Sequence, residues 1–292
     1  MTSLRIVAEP ELRQPTLITA FAGWSDVGAA ATSAAIYLAE RWHAERLAEI
    51  DPEEFYDFTQ HRPLVRYDGE NRVIDWPENV FHFHQIEGRD FIILSGIEPH
   101  LRWKTYTDLV LAVIDKFNVG LVVGLGALYV EFPHTRPIRV TGTAPDPEML
   151  DRAGIAQRGR GRYQGPTGIS GVLTAALQTR GVPLASVWAN VPHYVSATPN
   201  PTASLAILRA LTGMLQVEVR MGRMIRASAA FERQLNEATS QNEQVREYIQ
   251  TLEARLEEEE ALGDGEPRSE LPSTEKIVQE IEELLRRPPE EK

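Results

Sequence analysis

The chain has 292 residues, contains no cysteine and carries a formal net charge of −12. The acidic balance argues against general nucleic-acid or anionic-membrane binding, because both need a basic face, and the lack of cysteine excludes disulfides, thiolate nucleophiles and zinc fingers. Because the first residues lack a long apolar segment and no stretch approaches a membrane span, we expect a cytoplasmic protein.

Residues 1–200 alternate between predicted strands and predicted helices. The strands are expected at 4–8, 15–21, 80–86, 91–94, 119–125, 138–142 and 183–190, and the helices at 29–42, 101–117, 145–153 and 167–179. Residues 53–58, 64–67 and 71–76 have the composition of short strands and loops. Such alternation is typical of three-layer α/β proteins, in which helices cover both faces of a mostly parallel sheet. We therefore predict an α/β domain over residues 1–200.

A glycine-rich turn, Gly23-Trp24-Ser25-Asp26-Val27-Gly28, joins the second strand to the first helix. Its backbone N–H groups can bind an anion at the start of the helix. In the alternative, the turn is structural, and Ser25 or Asp26 caps the helix by accepting an N–H of its first turn. The turn matches neither the dinucleotide-binding fingerprint nor the P-loop, so no cofactor is predicted.

A second glycine-rich segment, 165–171, opens the helix predicted at 167–179 and contains Thr167. It follows a basic run at 158–162, so the helix dipole and the arginine charges both favour an anion-binding loop. The alternative is a surface loop that its arginines keep solvated. Nucleic-acid binding by this run is disfavoured by the net charge of the chain.

Two pairs of polar residues follow predicted strands: His134 with Arg136, and His193 with Tyr194. If the sheet is parallel, both pairs lie at the carboxyl ends of strands, where α/β proteins bind ligands. A histidine can exchange protons near neutral pH, and an arginine can hold a carboxylate or phosphate. Alternatively, these side chains bond to the backbone of the loops. No nucleophile or orienting carboxylate accompanies them, so no catalytic residue is predicted.

The candidate ligand-binding set collects the polar residues and glycine turns expected at strand ends. Its members are Gly23, Trp24, Ser25, Asp26, Glu98, His134, Arg136, Thr167 and His193. No metal site is predicted, because His82 and His84 share a strand face but lack a third ligand at a suitable spacing.

Residues 201–292 are predicted to form a helical extension. Apolar residues from Val217 to Leu256 follow an alternating four-three spacing, which predicts one long coiled-coil-like helix over about 202–262. Asn242 interrupts this apolar stripe, where a polar residue can fix register or partner number. The alternative is that the stripe packs on the chain's own core or on a returning helix. A linker and a short helix at about 273–287 follow.

Several short motifs occur in order along residues 1–210. They are Phe21-Ala22-Gly23-Trp24-Ser25-Asp26, Gly96-Ile97-Glu98-Pro99 with Trp103, Gly124-Leu125-Gly126-Ala127, Pro133-His134-Thr135-Arg136-Pro137, Gly165-Pro166-Thr167-Gly168 and Pro192-His193-Tyr194. Taken together, these motifs resemble the proteasome assembly chaperone family, in its bacterial branch with a helical C-terminal extension. Leu271-Pro272-Ser273 and the predicted helix after it also resemble the tail of that branch.

The resemblance implies a three-layer fold similar to nucleoside-phosphorylase-like proteins, and self-association into homo-oligomers. For some relatives it implies chaperoning of proteasome subunits. Those relatives can end in a hydrophobic–Tyr–any-residue tail that docks into the proteasome ring, and Pro288-Pro289-Glu290-Glu291-Lys292 does not match that tail. It brings no established substrate or catalytic residue. We therefore expect a non-enzymatic homo-oligomeric assembly or scaffold protein, with proteasome subunits as candidate partners. The alternative is an enzyme or sensor that binds a small anionic or nucleoside-like ligand at the strand ends.

Overall fold

The structure of the chain is a computed structural model that describes residues 3–86, 88–157 and 164–262. The strands are β1 (Leu4–Ile6), β2 (Thr16–Ala22), β3 (Glu45–Ile50), β4 (Leu64–Asp68), β5 (Asn71–Asp75), β6 (Asn79–Ile86), β7 (Arg89–Ile97), β8 (Leu121–Val130), β9 (Val140–Thr143), β10 (Ala156–Gln157) and β11 (Leu184–Pro192). The helices are α1 (Ala30–Trp42), α2 (Trp103–Lys116), α3 (Pro147–Ala153), α4 (Ile169–Arg180), α5 (Pro201–Leu215), α6 (Gly222–Ser240) and α7 (Glu243–Leu262). Within these ranges, no helix combines the length and apolar character that crossing a membrane requires.

Nine of the strands form one mixed sheet, in the order β1-β3-β6-β7-β2-β8-β11-β9-β10. Its centre, β7-β2-β8-β11, is parallel, and mainly antiparallel pairs extend it on both sides. The central segment Leu17-Ile18-Thr19-Ala20-Phe21 of β2 is buried throughout, as expected of a parallel strand covered on both faces. The parallel centre brings the carboxyl ends of four strands to the same edge, which we call the strand-end edge.

Helices pack on both faces of the sheet. Side chains alternate along β2, so Ile18 packs with α1 and α5 on one face, whereas Leu17 packs with α2 and α4 on the other. The two faces bury separate hydrophobic clusters, each built from strand and helix side chains. The predicted three-layer α/β fold is confirmed.

The α/β unit extends beyond residue 200, where the sequence predicts its boundary. Ten residues of α5 are buried, and the helix packs against α1, α3 and β11. Asn200 caps this helix, because its Oδ1 accepts the N–H of Ala203 at 3.0 Å. Helix α5 therefore belongs to the core. Its apolar periodicity resembles that of the extension, so the sequence pattern did not separate the two.

The range predicted as one long helix contains three helices. Helix α5 is followed by Gln216, whose backbone is left-handed (φ 51°), and residues 217–221 are not helical. Helix α6 ends shortly before Asn242, whose Oδ1 accepts the N–H of Gln244 at 2.9 Å and that of Val245 at 3.2 Å. Asn242 thus caps α7 rather than fixing the register of a coiled coil.

The apolar stripe of α6 and α7 is buried within this chain. Leu235 of α6 and Val245, Ile249 and Leu252 of α7 form one cluster with Tyr194 and Val195, which follow β11. The stripe therefore packs on the chain's own core, which was the alternative to a coiled coil, and the helix pair covers the ends of β8 and β11 at the strand-end edge. The helix predicted at about 273–287 lies outside the described residues.

Candidate functional site

Glu98 lies directly after β7 and joins two loops at the strand-end edge. Its carboxylate accepts the N–H of Ile169, the first residue of α4, at 2.6 Å and the N–H of Trp24 at 3.4 Å. The N–H of Glu98 donates to the carbonyl of Ala22 at 2.8 Å. Glu98 therefore connects the end of β2 to the start of α4.

The contact with Glu98 explains two glycines of the motifs. Gly23 has φ +144°, and a Cβ at this position would lie 2.9 Å from the Cβ of Glu98. A Cβ on Gly168 would lie 2.6 Å from Oε1 of Glu98. Gly23 needs glycine because its φ is positive and the Glu98 Cβ approaches it closely, whereas a side chain at position 168 would displace the Glu98 carboxylate.

The start of α4, where the sequence predicts an anion site, therefore holds a carboxylate of the protein itself. The first N–H groups of a helix and its dipole favour negative charge, and Glu98 supplies it. Thr167 lies in the preceding turn, with its Oγ1 so close to Gly171 that a Cβ there would lie 2.0 Å from it. The basic run 158–162 falls outside the described residues, and anion binding by that run stays a prediction.

Asp26 is a buried residue that caps α1. Its carboxylate accepts the N–H of Ala31 at 2.6 Å and that of Thr32 at 3.3 Å, and it also accepts the Thr32 hydroxyl. Burial raises the pKa of Asp26, and these hydrogen bonds oppose that shift. Ser25 contributes its carbonyl, which accepts the N–H of Ala127 in β8 at 2.9 Å. Both residues therefore have the structural role that was one of the two alternatives for this turn.

His134 lies in the loop after β8, and both of its ring nitrogens have partners. Nε2 is 3.1 Å from Oδ1 of Asn236 in α6, and Nδ1 is 2.8 Å from the hydroxyl of Tyr194. Because an amide oxygen only accepts, Nε2 carries the proton and the Tyr194 hydroxyl donates to Nδ1. This hydroxyl also accepts the N–H of His134 at 2.6 Å. Burial lowers the pKa of His134, which favours the neutral ring that the arrangement requires.

His193, the first residue after β11, is held in a similar way. Its N–H donates to the carbonyl of Val130 at 3.0 Å, and its Nδ1 lies 3.2 Å from the same oxygen. Its Nε2 lies 3.0 Å from the hydroxyl of Tyr248 in α7. Burial raises the pKa of Tyr248 to about 12, so this hydroxyl stays protonated at neutral pH and can donate to Nε2.

The loop that contains Arg136 is bound to α7 by polar contacts. Arg136 forms an ion pair with Glu257 at 3.3 Å, and the hydroxyl of Thr135 donates to Glu253. The ion pair is solvent-exposed, so it contributes only about 0–1 kcal/mol. Arg136 also lines two neighbouring clefts of about 360 and 780 Å³, which keeps it a candidate contact for an anion.

The candidate residues fall into two groups along the strand-end edge. Gly23, Trp24, Ser25, Asp26, Glu98 and Thr167 lie near β2, β7 and α4, whereas His134, Arg136 and His193 lie near β8 and β11. Between described residues, no hydrogen bond or ion pair joins a side chain of one group to a side chain of the other. In the same part of the chain, no group of three or more acidic or histidine side chains is arranged to hold a metal. Ligand binding by either group stays a prediction.

The partners supplied by α6 and α7 were missed by sequence reasoning. They are Asn236, Tyr248, Glu253 and Glu257. Their separations from the loop residues they contact run from 55 to 121 positions. The apolar stripe indicated that these helices must cover some surface, but it did not indicate which one.

The fold and the strand-end edge together define a class: a three-layer α/β protein whose own C-terminal helix pair covers the ends of its central strands β8 and β11. The model of the PAC2 family matches residues 20–239. The chain therefore belongs to the PAC2 family, and the resemblance to proteasome assembly chaperones that its motifs indicated is confirmed.

Several solved structures are similar to this chain. A PAC2 family protein from Streptomyces avermitilis is 38% identical with a TM-score of 0.72, and the match covers 80% of this chain and 99% of that one. A proteasome-assembly chaperone homologue from Mycobacterium tuberculosis is 41% identical with a TM-score of 0.70 and the same coverage. A protein of unknown function from Corynebacterium glutamicum is 27% identical with a TM-score of 0.81, over 90% of this chain and 99% of that one. The comparison with curated proteins finds no match.

Proposed function

We propose that this protein is a non-enzymatic, homo-oligomeric assembly or scaffold protein that acts on proteasome subunits before they are assembled. The observation that carries the proposal is the likeness to a proteasome-assembly chaperone homologue along almost the whole length of that structure. An assembly protein holds its partners through surfaces, so the proposed role requires no reacting group.

The polar groups of the strand-end edge support the non-enzymatic part of the proposal. Acid–base catalysis needs a titratable group within reach of a substrate proton. The carboxylate of Glu98 bonds to backbone N–H groups, and the rings of His134 and His193 bond to side chains of the helix pair. The groups that proton transfer would use are therefore already engaged in hydrogen bonds that stabilise the fold. The position of Arg136 beside two clefts is what favours the ligand-binding alternative.

Native mass spectrometry of the full chain tests the proposal directly. The chain is measured alone, with purified unassembled proteasome subunits of the same organism, and with the assembled particle as the matched control. We expect a homo-oligomer that forms a stoichiometric complex with unassembled subunits and binds the assembled particle at least tenfold more weakly. A tenfold difference corresponds to about 1.4 kcal/mol of binding free energy.

Two other results would count against this function. A monomer that binds neither form of the proteasome would contradict it. A small molecule of defined mass retained by the chain, and lost on Arg136→Ala substitution, would favour the ligand-binding alternative instead.

A further inference from the structure

The hairpin formed by β4 and β5 stands apart from the nine-stranded sheet. It is a separate two-stranded sheet with a tight turn at Gly69, where φ is +61°. All its strand residues except the half-buried Val73 are exposed. An isolated two-stranded hairpin is marginally stable in water and usually needs further strands or a covering surface.

One face of the hairpin is apolar apart from Arg72. Val65 pairs with Ile74, and Tyr67 pairs with Arg72, so these side chains share a face. Tyr67 is 70% exposed and Val65 is 47% exposed. Trp76, which continues the alternation after β5, contacts Phe58 with ring centroids 5.0 Å apart and is still 48% exposed. The opposite face carries the ion pair of Arg66 with Asp75 at 2.8 Å.

The outer edge of β5 is open to a further strand. Asp68 and Asn71 close the two-residue turn, and such a closing pair exchanges both of its backbone hydrogen bonds. Because hydrogen-bonded and non-hydrogen-bonded pairs alternate, the N–H and C=O groups of Arg72 and Ile74 point outward. In the described residues, no strand other than β4 pairs with β5.

The outer edge of β4 is less suited to pairing. Its outward positions are Val65 and Tyr67, and the next outward position in the alternation is Pro63, which has no N–H to donate. Proline at such a position is a common way to protect an edge strand. The corresponding position beyond β5 is Trp76, which keeps its N–H. Any strand added to this hairpin therefore fits better beside β5.

We propose that β5 pairs with β5 of a second copy of this chain, antiparallel and about a two-fold axis at Val73. This inference rests on the proposed homo-oligomer and names its interface. In this register Arg72 lies opposite the partner subunit's Ile74, and Asn71 lies opposite the partner subunit's Asp75. The Asn71 amide can donate to that carboxylate, and no like charges lie directly opposite each other, although the two Arg72 side chains are diagonal neighbours. The two hairpins form one four-stranded sheet, and one of its faces carries Val65, Tyr67 and Ile74 of both copies together with both Arg72 side chains.

Charge favours a second copy as the occupant of this edge. The chain as a whole has a net charge of −12, so two copies repel each other over most of their surface. Residues 62–76 contain three arginines and three acidic residues, so the hairpin is locally neutral. Two copies can therefore meet here with little electrostatic cost.

Cysteine cross-linking of the full chain tests this interface, since the natural sequence has no cysteine. In the proposed register the two Val73 residues form a non-hydrogen-bonded pair with Cα atoms about 4.5 Å apart, within the range that a disulfide spans. The control is Arg66→Cys, because Arg66 lies directly opposite Val73 on the same face of the hairpin but on β4. Both variants are oxidised at micromolar concentration and separated on non-reducing gels.

We expect Val73→Cys to convert most of the chain to a covalent dimer and Arg66→Cys to yield at least tenfold less. No dimer from Val73→Cys, or equal dimer from both variants, would overturn the β5 interface. Light scattering of the unsubstituted chain separates this outcome from failure of the proposed function. If the unsubstituted chain is an oligomer but Val73→Cys does not cross-link, only the β5 interface is refuted. If the unsubstituted chain is a monomer, the proposed homo-oligomer is refuted as well.

Discussion

A chain that ends at Asn200 will fail to fold cooperatively, whereas a chain that ends at Met221 will fold. The first truncation removes α5 and its large buried side chains, which are Leu205, Ile207, Leu208, Leu211, Met214 and Leu215. Burying six such side chains contributes about 9–18 kcal/mol at ~1.5–3 kcal/mol each. This loss is comparable to the whole stability of a typical protein, ~5–15 kcal/mol.

The second truncation keeps α5 and removes residues 222–292, which include the helix pair α6 and α7. It exposes Tyr194 and Val195, so its melting temperature will fall below that of the full chain, but one cooperative transition will remain. Circular dichroism melts of both truncations against the full chain provide the measurement. A cooperative melt from the chain ending at Asn200 would show that α5 is dispensable and that the α/β unit ends where the sequence predicts.

Tyr194 stabilises the protein through two contributions that substitution can separate: its hydroxyl and its buried ring. Tyr194 is fully buried, and its hydroxyl accepts the N–H of His134 and bonds to the same ring. Tyr194→Phe leaves that partly buried N–H without a partner and will cost about 1–3 kcal/mol. Tyr194→Ala also opens a cavity, and we expect a total loss of ~3–5 kcal/mol. Urea unfolding, analysed with a common slope, measures both losses.

Tyr248→Phe is the matched control for the loss of the Tyr194 hydroxyl. It removes a phenol hydroxyl from the same cluster, but this hydroxyl bonds only to the His193 ring in the described structure. No backbone N–H loses a partner, so we expect a loss below ~1.5 kcal/mol. If both Phe variants lose the same free energy of unfolding, the His134 N–H adds nothing to the effect of Tyr194→Phe, and the proposed role of the Tyr194 hydroxyl is wrong.

The central strands were predictable because their local pattern agrees with their environment. Leu17-Ile18-Thr19-Ala20-Phe21 is a continuous β-rich run, which is typical of a parallel strand covered on both faces. The helix caps were only partly predictable. Asp26 was one of two candidate caps. Asn242 lies on the apolar stripe, so the sequence pattern predicts a continuous helix there, although asparagine is also a preferred helix cap.

The contacts at the strand-end edge were not predictable, because they depend on which distant segments meet. The sequence marks Glu98 as a candidate ligand contact, but it does not show that Ile169, 71 positions away, donates to its carboxylate. His134 and Asn236 are 102 positions apart. Local sequence shows that these residues are polar and lie near strand ends, but tertiary packing decides whether their partner is a ligand or the chain itself.

Backbone hydrogen exchange tests most directly the central claim that the chain's own groups close the strand-end edge. The amides to follow are those of Ile169, which donates to Glu98, and His134, which donates to Tyr194. The exposed hairpin residue Tyr67 provides the unprotected reference. We predict that Ile169 and His134 exchange at least a hundredfold more slowly than Tyr67, equivalent to about 2.7 kcal/mol of protection. Exchange of either amide at the rate of Tyr67 would contradict the account, because the edge would then be open to solvent and to ligands.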